Sequence, residues 1–363
     1  MESTLTINNQ KYQLERYPKT DDKTLKAWSN AELMVLEYVV KKEAKNIHLF
    51  NDRFGFWNCT LNTKKVTTIW NYASQKKAIN HNQKLNNLNT DVIYKTPLDS
   101  LGKVELALIK IPKSLELFEL FLQQVHKASI SSTEVVCGFM TKYFSPSLLK
   151  IASSYFEVSE QSKAWKKARL LILKKPKEKV NYKIISNKIN YNETVFNQYF
   201  GVFSSGQIDI GTQFFLQHMK VFSKELKVLD LACGNGVIAH ELVNKYPSAE
   251  VTLIDDFNLA IASSKLNLKN KKATFICDNN LNNLEDGCFD LVVSNPPFHF
   301  EHENNIEIAL DLFKGVKRVL NGNGRFLLVA NKHLNYKTHL GFLFNKVTVI
   351  EENLKFVIYE CIS

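Results

Sequence analysis

Asn295-Pro296-Pro297-Phe298 stands directly behind the strand-like run Phe289 to Ser294, and its residue types suit the binding of a planar amino group. The Asn295 side-chain oxygen and the Pro296 carbonyl are two acceptors, on a backbone that the prolines restrict. Phe298 adds an aromatic face. An exocyclic amino group has two N–H donors and a π-face, so this set would hold it with its nitrogen exposed. The motif predicts chemistry at such a nitrogen.

A second motif, Val228 to Gly236, reads as an apolar strand followed by a glycine turn and a helix. Gly234 and Gly236 allow close backbone approach to a ligand. The Lys-Ser/Thr pair of a phosphate-binding P-loop is missing, and Ala239 takes the last glycine place of the dinucleotide fingerprint. Asp255 ends the next strand candidate, where an acid accepts both ribose hydroxyls. This combination fits either a dinucleotide or S-adenosylmethionine.

The remaining polar candidates also follow strands. Asp278 stands after the third strand candidate, where it either meets an adenine amino group or simply starts a turn. Asn295 follows the fourth. Ligands bind at the carboxyl ends of strands in open α/β sheets, so all these residues are placed at one edge. The candidate cofactor-binding residues are Asp230, Gly234, Gly236, Asp255, Asp278 and Asn295.

The elements that must position these residues alternate between short apolar strands and amphipathic helices. Strands are predicted at Lys227–Leu231, Glu250–Ile254, Ala273–Cys277, Cys288–Ser294 and Gly324–Ala330, helices at Gly236–Tyr246, Asn258–Leu268 and Ile306–Leu320, and an edge hairpin at Lys346–Glu351 and Lys355–Ile362. The alternation predicts a parallel α/β sheet with helices on both faces.

The first half of the chain contains a similar alternation. Val66–Trp70 matches Val251–Asp255, and Val104–Leu108 matches Phe289–Val293, both at an offset of 185 residues. Leu49 to Gly55 aligns with Val228 to Gly234 at an offset of 179. The Lys-rich stretch around Pro176 is the predicted boundary between the copies, with domains at 1–181 and 182–363.

Charge divides unevenly between these halves. Residues 182–363 contain 18 Lys and Arg against 19 Asp and Glu, whereas residues 1–181 contain 29 against 17, so the whole surplus of +11 comes from the first half. A lysine-rich genome would spread its lysines evenly. The asymmetry therefore favours a neutral catalytic half beside a half that binds a polyanion such as nucleic acid.

Other features of the sequence exclude some classes of protein. No basic and apolar leader precedes the first domain, and no apolar run approaches the roughly 20 residues of a membrane span. The six cysteines show neither a CxxC pair nor zinc-like spacing. We expect a cytoplasmic protein that binds no metal and no membrane.

At this point the chain resembles the S-adenosylmethionine-dependent amino-methyltransferases, and among them the bacterial guanine-N2 ribosomal RNA methyltransferases, which have two tandem methyltransferase-like domains. The resemblance covers nearly the whole chain and is carried by Val202–Gly211, Val228–Gly236, Asn295–His299 and Val329–Leu334. Leu49–Gly55 and Ala164–Arg169 bring it closer to the large-subunit members. Ala232 departs from the family's usual glycine, and Ala is small enough to keep the turn.

The resemblance implies two tandem Rossmann-like class I domains of α/β fold, with S-adenosylmethionine as cofactor and a guanine N2 of 23S rRNA as the methyl acceptor. Asn295, Pro296 and Phe298 would be catalytic. Phe203 and Asp209 would help to close the cofactor pocket. Contacts to the RNA would come from Pro297, His299, Lys166, Lys167 and Arg169, with Lys163 and Trp165 beside them.

The first copy lacks the residues that such chemistry needs. In the sequence alignment Asn51 replaces Asp230, Trp57 replaces Gly236, Trp70 replaces Asp255, and Lys110–Lys113 replaces the Asn-Pro-Pro-Phe motif. We therefore expect a degenerate first domain that binds RNA and no cofactor. The alternative for its lysines is a solvated helix face with a core tryptophan.

Four other functions share parts of this pattern. The same methyl transfer could act on 16S rRNA, on an adenine N6, or on a protein glutamine, because each presents a planar amino group. Glutamine methyltransferases usually have Tyr at the place of Phe298 and a small helical first domain. The fourth alternative is a non-catalytic RNA-binding protein with a vestigial methyltransferase fold.

Overall fold

In the computed structural model, residues 3–20, 22, 24–88, 91–269, 271–296 and 306–363 are described, without the side chains of residues 306–308. The chain forms two compact units, Met1–Ile185 and Ser186–Ser363. The chain up to Lys183 is bound to the first unit, because Gln123 Nε2 donates to the Lys183 carbonyl at 3.0 Å and His126 Nδ1 lies 2.9 Å from the Tyr182 hydroxyl.

The first unit alternates strands and helices along the chain. Its elements are β1 (Thr4–Ile7), β2 (Gln10–Gln13), α1 (Asn30–Val39), β3 (Ile47–Phe50), α2 (Phe56–Thr60), β4 (Val66–Ile69), α3 (Ala73–Leu85), β5 (Ile93–Lys95), β6 (Val104–Lys110), α4 (Leu115–Lys127), β7 (Ser129–Met140), α5 (Pro146–Tyr155), β8 (Phe156–Gln161) and β9 (Ala168–Pro176), with a 3-10 turn at Thr141–Tyr143.

The second unit repeats this order. Its elements are β10 (Ser186–Tyr191), β11 (Thr194–Tyr199), α6 (Ile210–His218), β12 (Lys227–Leu231), α7 (Val237–Lys245), β13 (Glu250–Asp255), α8 (Asn258–Asn267), β14 (Ala273–Cys277), β15 (Phe289–Ser294), α9 (Ile306–Val319), β16 (Leu320–Asn331), α10 (Tyr336–Leu343), β17 (Lys346–Glu352) and β18 (Phe356–Ile362), with a 3-10 turn at Lys332–Leu334.

Each unit contains a seven-stranded sheet with the same strand order. In the second unit the order is β14-β13-β12-β15-β16-β18-β17, and in the first it is β5-β4-β3-β6-β7-β9-β8. All neighbours are parallel except the last hairpin, in which β18 or β9 lies antiparallel to both of its neighbours. The predicted α/β class and edge hairpin are confirmed, although the hairpin makes the sheet mixed rather than wholly parallel.

Apolar side chains of alternate residues build a core on each face of the second sheet. Val228 and Leu291 pack with the α7 and α8 side, whereas Leu229 and Val292 pack with Phe313 of α9 on the other. Successive side chains of a strand point to opposite faces, so a strand apolar at every position must be covered on both. This burial on both faces holds the strands between the two layers of helices.

The pairing registers confirm that the two units share one architecture. The offset of 185 holds for β4 and β13 and for β6 and β15. The parallel ladder is shifted at equivalent places, between Val104 and Leu106 and between Phe289 and Leu291.

The offset predicted for the first strand and its loop was wrong. Ladder pairing places Ile47 at the position of Val228, which is an offset of 181 instead of 179. Gly55 then coincides with Gly236, and both have positive φ, 77° and 79°, immediately before a helix. Apolar strands resemble one another at several offsets, and only the pairing partners decide between them.

This register changes which residues correspond in the degenerate copy. Leu49, not Asn51, stands at the place of Asp230, and Trp57 falls two residues beyond the place of Gly236. The acid is therefore replaced by an apolar side chain, while the glycine before the helix is kept. The first unit therefore still lacks the carboxylate of Asp230, although a leucine and not an asparagine replaces it.

The Lys-rich stretch Lys174–Lys179, predicted as the boundary between the domains, begins inside the first sheet, and the two units divide a few residues later, between Ile185 and Ser186. Lys174 pairs with Val158 and Pro176 with Phe156 in the β8–β9 ladder. Leu171 and Leu173 of β9 are buried, so this strand is held by core packing that the local lysine and proline content does not reveal.

Candidate active site

The two glycines of the turn after β12 have different surroundings: Gly236 is packed against neighbouring side chains, whereas Gly234 borders open space. A Cβ added to Gly236 would lie 2.8 Å from Leu268 Cδ1 and Ser264 Cβ, so a side chain there would collide with α8. A Cβ on Gly234 would meet nothing within 4 Å. Both have positive φ, which glycine adopts without strain. The space beside Gly234 is where a ligand could approach the backbone.

Ala232 begins the same turn with φ of 57°. An L-residue in this left-handed region costs about 1 kcal/mol relative to glycine. The turn predicted to survive the Ala departure is therefore formed, at a small energetic cost.

Asp230 is a fully buried carboxylate one residue before the end of β12. Its Oδ2 accepts the Ala239 N–H at 3.1 Å, which fastens the first turn of α7. Its Oδ1 has no hydrogen-bond partner within the described ranges, and burial raises the pKa of this carboxyl to about 7. A buried acceptor without a donor is costly unless a ligand supplies one. The site therefore fits a ligand with an ammonium or hydroxyl donor.

Replacing Asp230 by Asn tests the cost of this burial in the cofactor-free protein. The folded-state pKa lies above the unfolded value of about 3.9, so the folded parent binds more protons and loses stability as pH rises from about 4 to about 7. Asp230→Asn lacks this loss. We expect the urea unfolding free energy of the variant, relative to the parent, to rise by a few kcal/mol, at about 1.4 kcal/mol per unit of pKa difference, over that interval. If the unfolding free energies of the variant and the parent change with pH in the same way, the raised pKa of Asp230 is contradicted.

Asp255 ends β13, and it ties that strand to the glycine turn. Its Oδ2 accepts the Gly234 N–H at 2.9 Å, and its Oδ1 accepts the Phe257 N–H at 2.9 Å. Burial raises the pKa of this carboxyl to about 6. Each oxygen keeps a second acceptor direction, which is what the two hydroxyls of a ribose require.

Asp278 follows β14 and uses its carboxylate to build a turn. Oδ1 accepts the backbone N–H groups of Asn279 at 2.6 Å and Asn280 at 3.3 Å, and Oδ2 accepts Asn283 Nδ2 at 3.2 Å. This is the turn-starting role that the sequence offered as the alternative. Recognition of adenine by Asp278 stays a prediction.

Asn295 lies beside the glycine turn, because β15 and β12 are neighbours. Leu231 pairs with Ser294, and the Ser294 hydroxyl donates to the Leu231 carbonyl at 2.7 Å. Asn295 is therefore the first residue beyond the last paired position of this ladder. Pro296 follows it, whereas Pro297, Phe298 and His299 lie outside the described residues.

The orientation of the Asn295 amide is set by two acceptors that sequence reasoning did not connect with it. Nδ2 donates to Asp209 Oδ2 at 3.1 Å and to Thr212 Oγ1 at 2.8 Å. A carboxylate can only accept, so the amide nitrogen must face Asp209. Oδ1 accepts no hydrogen bond from the described residues, and it is left as the acceptor for a ligand.

Asp209 also caps a helix, in addition to its contact with Asn295, and its predicted part in closing the cofactor pocket stays a prediction. It is the N-cap of α6 and accepts the Thr212 N–H at 3.0 Å, which holds its carboxylate in place. The Asp-x-x-Thr spacing before an amphipathic helix was a readable cap signal. Its contact with a residue 86 positions away was not readable. Phe203 is 67 % exposed on the segment before this helix.

In the degenerate first unit, the residue at the position of Asn295 also contacts the helix that precedes the first central strand, but through an ion pair instead of an amide hydrogen bond. Lys110, at the position of Asn295, places Nζ 3.2 Å from Oε2 of the fully buried Glu32 of α1. Trp57 is also fully buried and donates its indole N–H to the Glu32 carbonyl at 3.1 Å. The Lys110–Glu32 ion pair thus stands where the second unit has the Asn295 amide, and the buried Trp57 contacts the same glutamate residue. An ammonium group cannot accept a hydrogen bond from an amino group.

The basic residues predicted to contact RNA are only partly at the surface. Lys166 and Lys167 are exposed, with positive φ of 44° and 63°, in the tight turn between β8 and β9. Arg169 lies within β9 and is partly buried, with its Nε enclosed. Trp165 is 41 % exposed. The segment is a hairpin turn with a surface tryptophan, and the alternative of a helix face with a core tryptophan is wrong.

The fold and the polar residues at the carboxyl edge of the second sheet define a Rossmann-like methyltransferase. Residues 2–178 match the family described as RLMG N-terminal domain, and residues 193–360 match the family described as methyltransferase small domain. The two matches together span nearly the whole chain, and they fit the predicted family of methyltransferases with two tandem domains. The predicted family is confirmed.

A solved structure shows the same fold over nearly the whole chain. The T. thermophilus 16S rRNA guanine-N2 methyltransferase RsmC, in complex with AdoMet and guanosine, is 16 % identical, with a TM-score of 0.80 over 99 % of this chain and 97 % of that chain. A TehB-like SAM-dependent methyltransferase from Corynebacterium glutamicum is 16 % identical over 44 % of this chain and 90 % of its own, with a TM-score of 0.34.

The residues that the structure describes contain no helix long and apolar enough to cross a membrane. They also contain no group of three or more His, Cys, Asp or Glu side chains placed to hold a metal ion.

Proposed function

We propose that this protein transfers a methyl group from S-adenosylmethionine to the exocyclic N2 of a guanine in 23S rRNA. The observation that carries this proposal is the Asn295 amide, fixed by Asp209 and Thr212 so that its oxygen is directed to a ligand. The sulfonium group of the cofactor supplies the methyl group in a single displacement. The rest of the chemistry is positioning.

Cofactor binding is supported by residues at the carboxyl ends of β12 and β13. Asp230 has a buried acceptor without a partner in the described chain, Gly234 leaves open space, and Asp255 has acceptor directions for two hydroxyls. This set fits the ammonium and ribose of S-adenosylmethionine.

The amino group of guanine is a weak nucleophile because its lone pair is delocalised into the ring. Hydrogen bonds from its two N–H groups to Asn295 Oδ1 and the Pro296 carbonyl would favour a pyramidal nitrogen with its lone pair directed at the methyl group. The nitrogen forms a bond to carbon, the sulfur–carbon bond breaks, and one N–H proton passes to water. Phe298 is proposed to stack on the base.

Guanine and ribosomal RNA are supported by similarity and by charge. The similar T. thermophilus enzyme is a 16S rRNA methyltransferase whose structure contains guanosine. The match to the RLMG N-terminal domain and the resemblance of Leu49–Gly55 and Ala164–Arg169 to the large-subunit members favour 23S rRNA, and the basic surplus of residues 1–181 fits a polyanion such as RNA. A paired guanine cannot reach such a site, so the acceptor must lie in a loop or be flipped out.

The deciding experiment incubates the full chain and labelled S-adenosylmethionine with unmodified 23S and 16S RNA, each naked and in subunits, followed by digestion to nucleosides. Label in N2-methylguanosine from 23S RNA is expected. Label in N2-methylguanosine only from 16S RNA would show that the substrate is 16S and not 23S rRNA. Label in N6-methyladenosine or in protein would overturn the guanine assignment. Absence of both transfer and cofactor binding by calorimetry would favour a non-catalytic RNA-binding protein.

A further inference from the structure

Two adjacent turns at the carboxyl edge of the first unit's sheet carry exposed aromatic side chains. Trp165 is 41 %, Tyr143 40 % and Phe144 39 % exposed. Large apolar rings held at a surface expose area that burial would otherwise remove from water. Their common position needs an explanation beyond chance, because they come from two separate segments of the chain.

Backbone hydrogen bonds bring these segments together. Thr141, the first residue after β7, donates its N–H to the Lys167 carbonyl at 2.8 Å. Trp165 and Ala168 exchange two hydrogen bonds, of 2.9 and 2.8 Å, that close the turn before β9. Asn30 Nδ2 also donates to the Lys166 carbonyl at 3.0 Å. The two turns are therefore held side by side before any ligand binds.

Lysine side chains lie among the rings. Lys166 Nζ is 4.7 Å from the centre of the Trp165 ring, and Lys142 Nζ is 4.7 Å from the centre of the Tyr143 ring. Lys163 and Lys167 are exposed beside them. None of these four lysines has a carboxylate partner among the described residues. The positive charge of the cluster is thus uncompensated by the protein around it.

The Phe144 ring is supported by a second aromatic side chain of the sheet. Its ring stacks on Phe139 of β7, with centroids 5.9 Å apart and planes at 28°. Phe139 pairs with Arg169 across the β7–β9 ladder, so this ring rests on the sheet. A supported ring loses little conformational entropy when a base stacks on it.

We propose that Trp165, Tyr143, Phe144 and the four lysines, here called the aromatic–lysine platform, bind unpaired nucleotides of RNA. The inference rests on the proposed function, in which the first unit holds the RNA. Lysines alone would serve the phosphates of any duplex, but exposed rings offer stacking that only splayed bases can use. The platform therefore selects a single-stranded loop or junction.

The test measures binding of the full chain to labelled oligonucleotides of about 12 nucleotides, one unstructured and one fully duplex. Trp165→Ala is expected to weaken binding to the unpaired RNA at least tenfold and to the duplex less than twofold, with Trp165→Phe retaining most affinity. Lys166→Glu with Lys167→Glu should weaken both and reduce the salt dependence. Lys103→Glu is the matched control, because Lys103 is exposed just before β6, at the opposite edge of the sheet.

Equal effects of Trp165→Ala on both RNAs, or no effect on either, would overturn the platform. Unchanged RNA binding with methylation lost only on ribosomal particles would assign the surface to a protein partner instead, and would also overturn it. Thermal melting of each variant checks its fold. Failure of the proposed function is distinct, since an inactive parent would transfer no methyl group to any RNA whether or not the platform binds it.

Discussion

Asn295→Ala is expected to lower the rate of methyl transfer about a thousandfold while leaving the affinity for S-adenosylmethionine within a few-fold of the parent. The substitution removes one of the two acceptors that position the amino group, and loss of one such preorganised contact typically costs a factor of 10²–10³. The rest of the cofactor site, at Gly234 and Asp255, does not depend on this side chain. Single-turnover kinetics with bound RNA and calorimetry with cofactor measure the two quantities.

Two further variants test whether the loss of rate is specific to the Asn295 amide. Asp209→Ala removes one of the two acceptors that orient the Asn295 amide, so a smaller fall in rate is expected, with unchanged RNA affinity. Lys110→Ala alters the equivalent position of the first unit. It leaves the buried Glu32 without its cation and should lower stability, yet the rate per folded molecule should not change. An Asn295→Ala enzyme with near-parent turnover would exclude Asn295 from the reaction.

Asp255→Ala is expected to raise the dissociation constant for S-adenosylmethionine about a hundredfold or more. It removes two acceptors for the ribose hydroxyls, and hydrogen bonds to a charged group contribute about 1.5–3 kcal/mol each. It also frees the Gly234 N–H that this carboxylate holds at 2.9 Å, so the turn loses an anchor. Calorimetric titration of the RNA-free protein measures the change directly.

Glu250→Ala is the matched control for Asp255→Ala. Glu250 begins the same strand, at the opposite edge of the sheet, and is exposed with Lys272 3.8 Å away. An exposed pair of this kind contributes little, so neither stability nor cofactor affinity should shift measurably. Equal dissociation constants for the Asp255→Ala variant and the parent would place the ribose elsewhere.

Much of the architecture followed from local patterns. The strand candidates of the second half lie close to their observed bounds, because a short run of Val, Leu, Ile and Phe between turns is favourable as a strand buried on both faces. The edge hairpin also followed from such runs. The assignment of cofactor and RNA contacts to individual residues stays a prediction until the variants are measured.

The errors share one physical origin. The 179-residue offset and the linker around Pro176 were inferred from segments considered without their partners in the sheet. Pairing of Ile47 with Val66 and Leu106 corrected the first, and pairing of Pro176 with Phe156 corrected the second. A strand's register depends on its neighbours, which lie tens of residues away in the chain.

The sequence alone predicted two α/β units of similar pattern, with Asn295, Gly234 and Asp255 at strand ends in the second of them and other residue types in the first. Residue type and spacing suffice for this, because burial of apolar strands is a local property. Only the tertiary structure decided that Asp209 orients the Asn295 amide, that Glu32 pairs with Lys110 in the other unit, and that Thr141 is hydrogen-bonded to Lys167. These contacts join residues distant in the chain, and they form only when folding has fixed the strands and helices that carry them.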